Sequence, residues 1–196
     1  MSRITVRRAV EELCSDGYLV KQQGRGTFVA TPHINRQFHA TALQTFTELC
    51  TSNGMKAGAH VIDRQIVPAR QNEMEFFGLQ KDALLLHIKR VRTADGEPIF
   101  EENIFVPFGE YRELLTADLE DKSIFAEVER VGGTPIVSVG YRTVEAVRAS
   151  TEQAAELGIA PHDPLLNLRA GFIGPNSEPV LMGKQYYVGS RYVMVM

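Results

Sequence analysis

The apolar positions of the chain fall into two patterns that change near residue 38. Val6, Ala9, Val10 and Leu13 recur at helical spacing, with Ser2 placed to cap that helix and Gly17 placed to end it. Tyr18–Gln23 and Thr27–Ala30 then read as a short hairpin about Gly24-Arg25-Gly26, and 31–37 reads as a linker. Beyond it, helical stretches are predicted over 41–53 and 69–77, stopping at Gly54 and Gly78. A β-hairpin follows, Leu84–Arg92 and Ile99–Val106, around Ala94-Asp-Gly-Glu-Pro98. Helical stretches near 109–116 and 123–131 precede a long strand over 135–147. Ser150 and Gln153 form a capping box for a helix that stops at Gly158. Strands over 165–173 and 179–188 flank the turn Gly174-Pro-Asn-Ser177. These elements predict an α+β domain with an antiparallel sheet.

Charge divides the chain in the same place. The 196 residues carry a net charge of −3, yet residues 1–30 hold Arg3, Arg7, Arg8, Lys21 and Arg25 against Glu11, Glu12 and Asp16. A basic end on an acidic body suggests two tasks. Cys14 and Cys50 are too few and too far apart for a disulfide scaffold or a CxxC metal site, and the five histidines show no metal-ligand spacing. No metal, cofactor or catalytic set is expected. With no apolar h-region at the amino terminus and no apolar run of about 20 residues, a cytoplasmic protein without a membrane partner is expected.

In the hairpin, alternation puts Leu84, Leu86, Ile88, Arg90 and Arg92 on one face of the first strand. Glu102 lies among Phe100, Ile104 and Val106 on the second, while Glu101 and Asn103 face away. Unpaired buried charge costs several kcal/mol, so these groups must meet each other, a ligand or a wet cavity. A three-residue turn sets Arg90 opposite Glu102 and keeps the apolar faces together; a two-residue turn sets it opposite Glu101. Two arginines at this spacing suit phosphate or carboxylate. A plain cross-strand Arg–Glu pair, or a sheet end emerging into water near Arg92, fits the same pattern.

Two resemblances extend this reading. Ser2–Val10 with Leu13, Gly17 and Gly24-Arg-Gly-Thr-Phe-Val29 resembles the second half of a GntR-family winged helix-turn-helix. That resemblance implies that Ser2, Arg3, Thr5 and Arg7 touch operator DNA, while Gly24, Arg25 and Gly26 set a wing tip against it. A solvated basic helix face is the plainer alternative. The segment begins at the recognition helix of that motif, so specific DNA binding is expected of a longer protein and not of residues 1–196 alone.

The body carries Arg90-Val-Arg92, Gly96-Glu-Pro98, Glu102, Val106-Pro107, Val144-Glu-Ala146 and Lys184…Tyr187…Gly189-Ser-Arg-Tyr192. In that order they resemble a UTRA domain, the effector-binding domain of the HutC/FarR subfamily of GntR regulators, with the chorismate-lyase fold. The resemblance implies three segments: a partial winged helix over 1–30, a linker over 31–37 and the UTRA domain over 38–196. It implies an effector pocket at Phe46, Thr47, Arg90, Arg92, Glu102, Ser138 and Tyr187, for a small anion such as a sugar phosphate. A homodimeric transcription regulator, most simply a repressor, is expected. A chorismate-lyase-type enzyme shares the fold but has no use for Ser2–Val29; a stand-alone sensor is the third reading.

Overall fold

The computed structural model describes residues 3–15, 19–29, 34–37 and 43–195. Contacts divide the chain into two compact units, 1–34 and 35–196. In the first, helix α1 (Arg3–Ser15) precedes a two-stranded antiparallel ribbon, β1 (Leu19–Gln22) and β2 (Gly26–Val29). Ser2 and Gly17, expected as cap and stop, lie outside the described residues. Much of the apolar stripe of α1 meets water: Val6 is 48% and Leu13 42% exposed.

The body is built on one six-stranded antiparallel sheet in the order β4-β5-β6-β9-β8-β7. Its strands are β4 (Ala57–Pro68), β5 (Leu84–Ala94), β6 (Glu97–Pro107), β7 (Ser138–Arg148), β8 (Pro164–Ile173) and β9 (Pro179–Val188). Part of the expected linker is a strand, β3 (Ile34–Gln37), paired with β10 (Tyr192–Val195).

Helix α2 (Phe46–Ser52) starts later than expected, because Thr45 and Glu48 close a capping box at that point. Helices α3 (Gln71–Phe77), α4 (Ile124–Gly132) and α5 (Thr151–Leu157) end at Gly78, Gly133 and Gly158, each with a left-handed backbone. The capping box at Ser150 and Gln153 forms as expected. The expected helix near 109–116 is a single 3₁₀ turn, Arg112–Leu115.

Alternation along the strands sorts the helices onto two faces. On one, α3 packs Phe77 against Leu85 and Met182, while α5 packs Ala154 and Leu157 against Val91, Leu165 and Val188. On the other, α2 sets Phe46 against Phe100, ring centroids 4.9 Å apart, and Phe125 of α4 meets Phe172 at 4.8 Å. Gly171 lets α3 approach β8: a Cβ there would stand 2.4 Å from ring atoms of both Phe76 and Tyr141, which stack edge-on in that space.

The central hairpin reaches the expected pairing by another route. Its turn is the two residues Asp95-Gly96, both at positive φ, which alone would set Arg90 opposite Glu101. A bulge restores the register, because Thr93 pairs with Pro98 but Arg92 pairs with Phe100, leaving Ile99 as the extra residue. Arg90 therefore faces Glu102.

Candidate functional site

Three cross-strand rows share the face beneath α2 and α4. They run Arg92–Phe100–Tyr187–Leu166, Arg90–Glu102–Gln185–Leu168–Val144, and Ile88–Ile104–Gly183–Ala170–Arg142. A cavity opens above their middle, roofed by Gln44, Thr45 and Phe46 on one side and by Ser123, Ile124 and Phe125 on the other.

The two hairpin arginines have different surroundings. Arg90 is fully buried, and its donors are spent on the protein. Its Nε and Nη2 reach one Glu102 oxygen at 3.1 and 2.5 Å, and its Nη1 reaches the carbonyls of Leu119 and Lys122 at 3.2 and 2.9 Å. Arg90 is not among the residues lining the cavity. It is a strut that fixes Glu102 and the segment leading into α4.

Arg92 does line the cavity. Its Nε donates to the Gly58 carbonyl at 3.0 Å and its Nη2 to Thr47 Oγ1 at 3.3 Å, while Nη1 stands 3.9 Å from Glu102. The guanidinium lies 4.9 Å from the centre of the Phe46 ring. Burial lowers its pKa from the usual arginine range, the Glu102 charge opposing and the Arg90 charge assisting. A cation held in this way gains from an incoming anion. Beneath α2, burial likewise pushes the Cys50 thiol up to about 11, against the pull of Arg92, so it stays protonated near neutral pH.

Of the other expected residues, Phe46, Glu102 and Tyr187 line the cavity. The Tyr187 hydroxyl donates to Gln185 Oε1 at 2.7 Å, and its ring stacks between Phe100 and Tyr192. Thr47 lines the adjoining groove between α2 and α4 and touches the site through Arg92. Ser138 is not brought into the cavity lining. A bulge between Val139 and Tyr141 reverses the alternation of β7, so Ser138 pairs with Ile173 and Val139 with the cavity-facing Phe172.

The sequence reading missed Arg142 and Gln185, both in the lining. Arg142 shares the alternation of Val144 in β7, which was the available signal. Arg92 and Arg142 thus both line the cavity, and the one carboxylate among its lining residues, Glu102, is already paired with Arg90. Such a site favours an anion whose other end can meet Gln185 or Tyr187.

In the amino-terminal unit, Arg3, Thr5 and Arg7 are exposed on α1. Arg7 forms a surface pair with Glu11 at 3.3 Å, which is weak enough to yield to a phosphate. Gly24 and Gly26 hold the ribbon turn at φ 75° and 122°, presenting an exposed Arg25.

Residues 52–193 match the family model described as the UTRA domain. The chain belongs to the UTRA family. The HTH-type transcriptional repressor NagR of Bacillus subtilis (strain 168) is 32% identical over 195 residues, 100% of this chain and 79% of the repressor. The uncharacterized HTH-type transcriptional regulator YurK of the same organism is 36% identical over 92% of this chain and 73% of its own length. The crystal structure of PhnF from Mycobacterium smegmatis superposes with a TM-score of 0.82 at 27% identity, covering 100% of this chain and 85% of that one. The antiparallel sheet with flanking helices is thus the expected UTRA architecture. Among the described residues no cluster of His, Cys, Asp and Glu is suited to a metal, and no helix is long and apolar enough to cross a membrane.

Proposed function

We propose that this UTRA-family chain is a ligand-responsive transcription regulator, a repressor, whose body takes a small anionic effector such as a sugar phosphate. The observation that carries the reading is that two arginines, Arg92 and Arg142, line a cavity whose carboxylate, Glu102, is already paired with Arg90. The phosphate would sit between these arginines and the amino end of α4, with Ser123 at its side. Gln185, Glu102 and Tyr187 would hold the sugar hydroxyls. Repressor relatives that match 100% and 97% of this chain support the regulatory role.

In this reading the exposed face of α1 and the Gly24-Arg25-Gly26 turn touch operator DNA, and a homodimer through residues 38–196 spaces two such elements. The effector acts by binding one dimer arrangement better than another, which shifts the population between DNA-competent and incompetent states. Titration calorimetry with a panel of sugar monophosphates tests the reading. A micromolar ligand corresponds to about −8 kcal/mol. Removing one charged contact by Arg92→Ala should weaken it at least about tenfold. Unchanged affinity in Arg92→Ala and Arg142→Ala would sink the assignment of the site.

A further inference from the structure

The face of the sheet turned away from the effector cavity carries its own concentration of positive charge. Lys184 of β9 and Arg169 of β8 are direct cross-strand partners. Like charges placed opposite one another in a sheet are destabilising, so this pairing calls for a compensating group. Arg70, just before α3, faces the same cavity, together with Asn72, Tyr141 and Met182. The cavity contains about 690 Å³ not filled by atoms, open solvent included.

The carboxylates nearby do not absorb this charge. Arg169 reaches Glu145 at 2.7 Å on the exposed side of the sheet. Lys184, with a side chain only 17% exposed, has a single long ion pair, 3.9 Å to Glu73 Oε1. Its ammonium lies 4.9 Å from the centre of the Phe105 ring and donates no hydrogen bond to any described residue. Three cations thus meet two carboxylates, and one of those cations is half-buried with its hydrogens unspent. Burial lowers the Lys184 pKa; Glu73 opposes this, and the charges of Arg70 and Arg169 add to it.

We propose that this cavity is a second anion site, taking a phosphate-type oxyanion between Lys184, Arg169 and Arg70. Asn72 and the Tyr141 hydroxyl supply neutral donors. The site is distinct from the effector cavity but built on the same strands. Tyr141 and Arg142 are consecutive in β7, as Lys184 and Gln185 are in β9, each pair pointing to opposite faces.

Backbone-amide NMR of the full chain, titrated with inorganic phosphate at constant ionic strength, reads the two cavities separately. The expected result is saturable shifts at Asn72, Gly183 and Lys184. The Arg70→Gln/Arg169→Gln chain should require roughly tenfold more phosphate for those shifts, with any response at Phe46 and Thr47 unchanged. Both substitutions are at exposed side chains, so the fold is retained; Lys184→Met is the second variant, expected to abolish the shifts. Shifts confined to the effector cavity, or shifts at Lys184 that the double variant leaves unaltered, would overturn the proposal. Methyl phosphate titrated in parallel separates the sources. An equal response assigns the free ion and a stronger one assigns a phosphorylated metabolite.

Discussion

Replacing Arg90 by methionine should be among the most damaging single changes in the body, and its size follows from what the guanidinium holds. The residue is fully buried, and Glu102 opposite it is only 2% exposed. Without Arg90, Glu102 becomes a buried charge whose nearest remaining cation is Arg92 Nη1 at 3.9 Å. Breaking such a pair from one side costs about 3–5 kcal/mol. The carbonyls of Leu119 and Lys122 also lose donors, at about 1–3 kcal/mol for each that water cannot reach. At about 2–4 °C per kcal/mol for a domain of this size, a fall in Tm of at least roughly 6–20 °C is expected. Arg90→Met/Glu102→Leu removes both charges, and should recover most of the loss because the stranded carboxylate is the main cost. Urea unfolding of wild type, both single variants and the double completes the cycle. If Arg90→Met lies within about 1 kcal/mol of wild type, or the double is no better than the single, Arg90 is not the strut described.

Three further outcomes follow from other parts of the molecule. Gly171→Ala should cost about 1–3 kcal/mol in denaturant unfolding, since its new carbon collides with Phe76 and Tyr141. Glu156 has a raised pKa: burial raises it, the hydrogen bond from Lys89 opposes, and the Glu101 charge adds. The folded chain therefore keeps this proton longer than the unfolded chain; its stabilising contribution is full below the ordinary 4.5 and fades as pH rises through the folded value. The Tm of Glu156→Gln relative to wild type should thus improve as pH rises above about 4.5, and a flat difference in calorimetry would refute the assignment. On α1, Arg3→Ala in an operator-binding form of the protein should cost about 1–3 kcal/mol in gel-shift affinity if the residue reads a base, and far less if it meets only solvent.

The strands that were legible in the sequence were those with one buried face. Leu86, Ile88, Phe100 and Ile104 announced the central hairpin, and Arg90, Arg92 and Glu102 stood out because they interrupted that face. Tyr187 and Phe46 came through resemblance. The whole of β4 was missed because it is an edge strand, with Gly58, His60, Asp63, Arg64 and Gln65 breaking any apolar alternation. It is held partly from far away in sequence: Asp121 accepts from the Ala59 amide at 3.0 Å and Glu120 from the Val61 amide at 2.9 Å. The other edge hid Arg142 in the same way, since β7 carries exposed residues on both faces. Ser138 also came through resemblance, and the bulge between Val139 and Tyr141 leaves it outside the cavity lining. The Arg90–Glu102 pairing was foreseen, but from a turn one residue longer than the one that forms.

That difference matters for how this hairpin can change length over generations. The bulge at Ile99 is one residue of slack in β6. A lineage that lost one codon between Glu97 and Phe100 could flatten the bulge and still align every later residue of the strand. A lineage that gained one there has no slack to draw on: the residues beyond would turn over and carry Glu102 to the wrong face, so the extra residue could be housed only in the Asp95-Gly96 turn. Shortening and lengthening are therefore unequal events in this gene, and the inequality is set by a single unpaired residue.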